Sequence, residues 1–70
     1  MNKEYRMLKA YRAINSVNQK TMAEVCGTTI AQYSRKERGL IPFTLIEAKK
    51  IAEYFDTNIE DIFFKDKLTS

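Results

Sequence analysis

Residues 18–39 read NQKTMAEVCGTTIAQYSRKERG, two runs of helix length split by Gly27 and closed by Gly39. Asn18 is a good N-cap, because its side-chain oxygen accepts from the unpaired backbone N–H groups that open a helix. A short helix then spans Gln19 to Val25 or Cys26 and buries Met22, Ala23 and Cys26. Gly27 stops it, since a helix C-terminus calls for a left-handed residue and glycine takes that conformation freely. Thr29 followed three residues on by Gln32 is a capping-box pattern, so a second helix begins there and runs to about Arg38 with Tyr33 inward. Two short helices about one tight turn, apolar in front at Ile30 and Ala31 and cationic behind, are the frame for the rest of the chain.

Upstream, over about Lys3 to Ile14, Met7, Tyr11 and Ile14 fall at spacings of four and three with Leu8 beside them, one apolar helical stripe. Asn15-Ser16-Val17-Asn18 reads as a turn, since Asn and Ser side chains compete for backbone hydrogen bonds. Downstream, Leu40-Ile41-Pro42-Phe43 is an apolar connector in which Pro42 forbids helix continuation. Thr44 with Glu47 is a second capping box, opening the longest helix, about Leu45 to Phe55, with Leu45, Ala48, Ile51, Ala52 and Phe55 inward. Asp56-Thr57 breaks it. Asn58 caps a last short helix with Ile59, Ile62 and Phe63 on its apolar face, and the tail KDKLTS is expected to fray. No alternating β-branched run occurs, so the expectation is an all-α, compact five-helix domain over residues 1–64 with a short tail at 65–70.

At 70 residues the chain has room for one domain, and 44% hydrophobic with 30% charged residues is an ordinary globular balance. A single cysteine makes no internal disulfide, and without histidine there is no Cys/His set for zinc, so a metal site is not expected. The usual nucleophile and base pairs cannot be built either, which points away from an enzyme and from any cofactor. The N-terminus MNKEYRMLKAYR is too charged for a signal peptide and no apolar run is of spanning length. A reducing cytoplasm is therefore the expected setting. Charge is uneven: residues 1–38 hold eight Lys/Arg against three Glu, a balance of +5, and residues 39–70 sum to −2. An anion-facing surface belongs in the first half.

From Leu8 to Phe63 the chain resembles the lambda-repressor-like, Cro-type (XRE) helix-turn-helix family. Asn18-Gln19-x-x-Met22-Ala23-x-x-Cys26-Gly27 is similar to the family's Thr-Gln-x-x-Leu-Ala-x-x-Leu-Gly, and Glu37-Arg38-Gly39 to its Glu-Arg-Gly. Ile51-Ala52 and Asn58-Ile59-x-x-Ile62-Phe63 fit its last two helices, and Lys36-Glu37-Arg38-Gly39 with Phe43, Glu47 and a closing Ile62-Phe63-Phe64 looks most like small regulators of phages and mobile elements. The resemblance implies helix-turn-helix geometry at helices 2 and 3, with helix 3, about 29–38, reading operator or promoter double-stranded DNA in a groove roughly 12 Å wide. The leading functional expectation is a Cro-like repressor, usually a dimer in the family although a monomer remains open here. The competing one is an antirepressor that presses the same face onto a phage repressor protein and blocks its DNA binding.

Residue roles follow from the resemblance. Gln19 corresponds to the family's phosphate-contacting glutamine, against the plain alternative of a solvated polar residue. Thr29 is an N-cap with a compatible phosphate bond. Ile30, Ala31, Gln32 and Arg35 face outward on the recognition helix: Gln32 suits adenine, Arg35 guanine or a phosphate, and the two apolar residues thymine methyls. Many relatives carry polar residues where Ile30 and Ala31 stand, and an apolar front also suits a protein partner. Lys20 and Arg38 are phosphate neutralisers or solubilising charges in equal measure. Arg12 and Glu37 correspond to a structural pair tying helix 1 to the recognition helix. Lys36 replaces a usually apolar residue, so its stem should pack while its ammonium reaches water. Tyr5 and Tyr54 are core edge or interface.

Overall fold

The computed structural model describes residues 5–64. Five helices follow one another: α1 (Arg6–Ile14), α2 (Gln19–Cys26), α3 (Ile30–Glu37), α4 (Leu45–Tyr54) and α5 (Glu60–Phe64), the last wound as a π-helix. Among the described residues there is no strand, and the all-α expectation holds. Residues 65–70 of the expected tail, and Lys3 at the expected start of the first helix, lie outside the described residues.

Side-chain caps start α2 and α4 where the sequence places them. Asn18 Oδ1 accepts from Thr21 N–H at 2.8 Å, and at Thr44 both bonds of the capping box with Glu47 form. Helix α3 is capped one-sidedly: Thr29 Oγ1 accepts from Gln32 N–H at 3.1 Å, while the Gln32 side-chain oxygen faces Arg35 Nη1 at a long 3.5 Å.

The first four helices share one ending. In each, a left-handed residue donates its N–H three residues back and the next residue donates five back, the Schellman arrangement that satisfies orphan carbonyls. After α2 the left-handed residue is Gly27, at φ 75°, where an added Cβ would meet nothing within 4 Å. Conformation, not crowding, thus calls for glycine there. After α1 and α4 the same place is held by Ser16 (φ 57°) and Asp56 (φ 56°). A left-handed L-residue costs roughly 1–2 kcal/mol, and glycine returns part of this through the freer unfolded chain. Ser16→Gly therefore raises stability by about 0.5–1 kcal/mol, read in a thermal melt as an upward shift of about 2–8 °C. An unchanged or lower melting point would show that the Ser16 conformation is unstrained.

The core is built of Leu8, Met22, Tyr33, Ile51 and Ile62, with Ala23, Ala48 and Ala52 where helices approach closely. Helix α2 packs on α3 and α4, and α1 packs on α5. Four rings bind these layers: Tyr5, Phe43 and Phe63 meet edge to face at centroid distances of 5.2–5.4 Å, and Phe43 reaches Tyr33 of α3 at 6.0 Å. Tyr5 belongs to the core edge, whereas Tyr54 is 46% exposed.

Three expected positions are corrected. Ile14 is 81% exposed, because the inward stripe, starting at Tyr5 just before α1, runs through Leu8, Tyr11 and Arg12 and has rotated away by the last residue of the helix. Leu45 is 70% exposed, because Phe43 fills the space ahead of the cap and the inward stripe of α4 begins a turn later at Ala48. The Lys36 ammonium is not left to solvent but turned to a carboxylate of another helix. It donates to Glu47 Oε1 at 2.7 Å, with both side chains only 12% exposed, so an ion pair bolts α3 to the first turn of α4.

Candidate nucleic-acid interface

Helix α3 divides sharply by face. Tyr33 and Glu37, four residues apart, are 0% and 1% exposed, while Thr29, Ile30, Ala31, Gln32, Arg35 and Arg38 all face solvent. The buried face holds the helix and the open face is free to meet a partner.

The buried face centres on the Glu37 carboxylate. Its Oε2 accepts from Arg12 Nε at 2.6 Å and Tyr33 Oη at 2.8 Å, and its Oε1 from Arg12 Nη2 at 2.9 Å and Gln19 Nε2 at 3.1 Å. Two oxygens with four donors are fully engaged. Burial by itself would raise this carboxyl, but the hydrogen bonds from Arg12, Tyr33 and Gln19 outweigh it and hold Glu37 below the usual carboxylate range. Burial, with the Glu37 charge beside it, pushes the Tyr33 phenol well above its ordinary range, so it stays a donor. Arg12 also donates through Nη1 to Val17 O at 3.0 Å, and Tyr5 N–H donates to Glu37 O at 3.2 Å, so the start of the chain, the entry to α2 and the end of α3 meet here. Among the described residues no buried side-chain nitrogen or oxygen lacks a partner.

On the open face the cations are Arg35 and Arg38, with Lys20 on the first turn of α2. The Gln19–Glu37 bond brings that turn beside the last turn of α3, so Lys20 and Arg38 border the same end of the two-helix unit. Arg38 Nε donates to Ser34 O at 3.3 Å, steadying the C-terminal end of α3 while leaving the side chain exposed. Ile30 is 49% exposed and Ala31 lies beside it, an apolar step between the cap at Thr29 and the polar pair Gln32 and Arg35. Gln19 alone of the expected contact residues is half-buried.

Sequence reasoning did not anticipate that Gln19 bonds to Glu37, nor that Tyr33 and Lys36 enter ion-pair networks. For Tyr33 a signal was present, since its four-residue spacing from Glu37 places both on one helix face. For Gln19 and Lys36 the partners come from other helices and no local spacing reports them. Cys26 is buried and free, and burial first, then the Glu47 charge, raises its thiol to about 11, which leaves it unreactive.

A protein-family comparison agrees with this geometry. The helix-turn-helix family model matches residues 8–62, which takes in α1 to α4 almost entirely and most of α5. No curated protein and no solved structure matches the chain. The chain belongs to the helix-turn-helix family. Within it the type is lambda-repressor-like (XRE), a class of DNA-binding regulators and not of enzymes. Among the described residues no helix is long and apolar enough to cross a membrane.

Proposed function

We propose that this protein is a sequence-specific repressor of the Cro type that lays α3 in the major groove of operator DNA and occludes a promoter. The observation that carries the reading is the division of α3: Tyr33 and Glu37 anchor it from behind, and Ile30, Ala31, Gln32 and Arg35 are presented together in front. Gln32 and Arg35 have the chemistry for adenine and guanine edges, and Ile30 and Ala31 for thymine methyls. Gln19, Lys20, Thr29 and Arg38 then fix register on the phosphates. The protein acts in the cytoplasm of a bacterial host, on the nucleoid when bound, in a phage-type genetic switch.

One observation favours a second reading. The half-exposed Ile30 beside Ala31 is an apolar front that a protein surface would cover as well as a base edge. In that reading the same face grips a partner repressor and removes it from DNA. Incubating the protein with labelled promoter DNA from its own locus, with and without the neighbouring repressor, separates the two. A shift by the protein alone, weakening steeply with salt, is the expected result. No shift alone, together with loss of the repressor's own shift, would overturn the repressor reading in favour of the antirepressor.

A further inference from the structure

We infer that Glu37, a buried residue with no access to DNA, positions Gln19 for contact with a backbone phosphate, which makes the α1–α3 ion pair a working part of the interface. The inference rests on the DNA-binding reading and deepens it. An ionised carboxylate only accepts hydrogen bonds, so a glutamine amide held against it must present its NH2 and never its oxygen. The direction of the Gln19 amide is therefore dictated by Glu37: at 3.1 Å from Oε1 one amide proton is committed, and the second proton remains for an outside acceptor.

Glu37 is itself held on three sides. Arg12 grips both oxygens, Tyr33 Oη takes Oε2, and the carboxylate is 1% exposed, so it has no freedom to follow Gln19. Arg12 in addition holds Val17 O, the carbonyl just before the Asn18 cap, so the same guanidinium fixes the entry of the chain into α2 and the acceptor that aims its first side chain. The Asn18 cap takes Thr21 N–H, while the N–H groups of Gln19 and Lys20 have no intrahelical partner. An oxyanion arriving at this turn meets two backbone donors, the Lys20 ammonium and an amide already turned toward it. A glutamine in free solution would have to lose rotamer freedom on binding; here that ordering precedes the encounter. The buried pair and the phosphate contact are thus one chain of donors and acceptors running from α1 through α3 to α2.

A double-replacement cycle tests this. The paired variant Arg12→Met/Glu37→Met removes one charge of each sign, leaves the net charge unchanged and substitutes apolar side chains of similar reach, an exchange that buried ion pairs often tolerate. The probe is a short labelled duplex of arbitrary sequence at low salt, because phosphate contacts do not depend on sequence. In the native background Gln19→Ala weakens binding about three- to tenfold, the loss of one hydrogen bond. In the Met/Met background binding is already weaker by a similar factor and Gln19→Ala changes nothing further. Equal losses in both backgrounds, with the wild type binding, would overturn the inference alone. A wild type that binds no duplex at any salt would overturn the DNA-binding reading and the inference with it. Should the Met/Met protein fail to fold, heteronuclear NMR of the wild type decides. The Gln19 side-chain amide is expected to exchange slowly in the free protein and to shift on addition of the duplex, whereas fast exchange like that of a surface glutamine is the contrary result.

Discussion

Glu37→Ala destabilises the domain by about 3–5 kcal/mol, the usual consequence of removing one member of a buried ion pair. The alanine strands four donor groups on three side chains at once. Arg12 keeps only Val17 O, while Tyr33 Oη and Gln19 Nε2 lose the acceptor that satisfies them in the interior. For a domain of this size each kcal/mol moves the melting point by about 4–8 °C, so a fall of at least about 12 °C is expected in a calorimetric or circular-dichroism melt. The pH dependence follows from the same group. Glu37 and Glu47 both titrate below their ordinary value of 4.5 in the folded protein. A depressed folded value means that the stabilisation is complete above about 4.5 and is lost as the pH falls through the folded values. The wild-type melting point therefore drops on acidification below that point, and Glu37→Ala drops less steeply from its lower start. A variant melting within a few degrees of wild type, with an unchanged acid limb, would remove Glu37 from its place as the organising acceptor.

On the repressor reading, Ala31→Glu is expected to weaken binding to promoter DNA by at least about a hundredfold while leaving the fold intact. A carboxylate set between Ile30 and Gln32 on the open face of α3 meets the negative field of the groove, and an apposed like charge costs several kcal/mol, of which about 2.7 suffices for a hundredfold. The fold is spared because Ala31 is exposed and not among the core residues. Glutamate is also a good helix former, and an acidic residue in the first turn of a helix suits its dipole. The check is a gel shift and a thermal melt on the same preparation. Undiminished binding would show that DNA does not meet this face. Lost binding with a melt displaced by more than about 0.5 kcal/mol in stability terms would show that Ala31 is needed for the fold.

The helices themselves were legible because their signals are local. Asn18, Thr29, Thr44 and Asn58 each accept from the N–H three residues on, and Gly27 and Gly39 sit left-handed where each helix stops. The two positions misread as core, Ile14 and Leu45, stand at the terminal residues of their helices, where a periodic stripe continues on paper but the packed neighbour has ended. The partner of Lys36 was not legible because Glu47 already had a local explanation as a capping-box acid, and nothing in one helix reports that its carboxylate also receives a cation from another. At the candidate interface the outward residues of α3 could be read from spacing against Tyr33. The tether on Gln19 could not, since its acceptor lies eighteen residues away across the turn.

The rings of Tyr5 and Phe63, 5.3 Å apart, bear on when this protein becomes able to act. Synthesis delivers the helix-turn-helix unit before α4 and α5, yet Tyr33 at its back is roofed by Phe43, and Phe43 in turn by one ring from before α1 and another from α5. A nascent chain of this protein therefore carries its helix-turn-helix unit before it carries the means to hold that unit steady. Helix α5 supplies the ring that completes this cluster, and a prematurely terminated product that retains α2 and α3 lacks it.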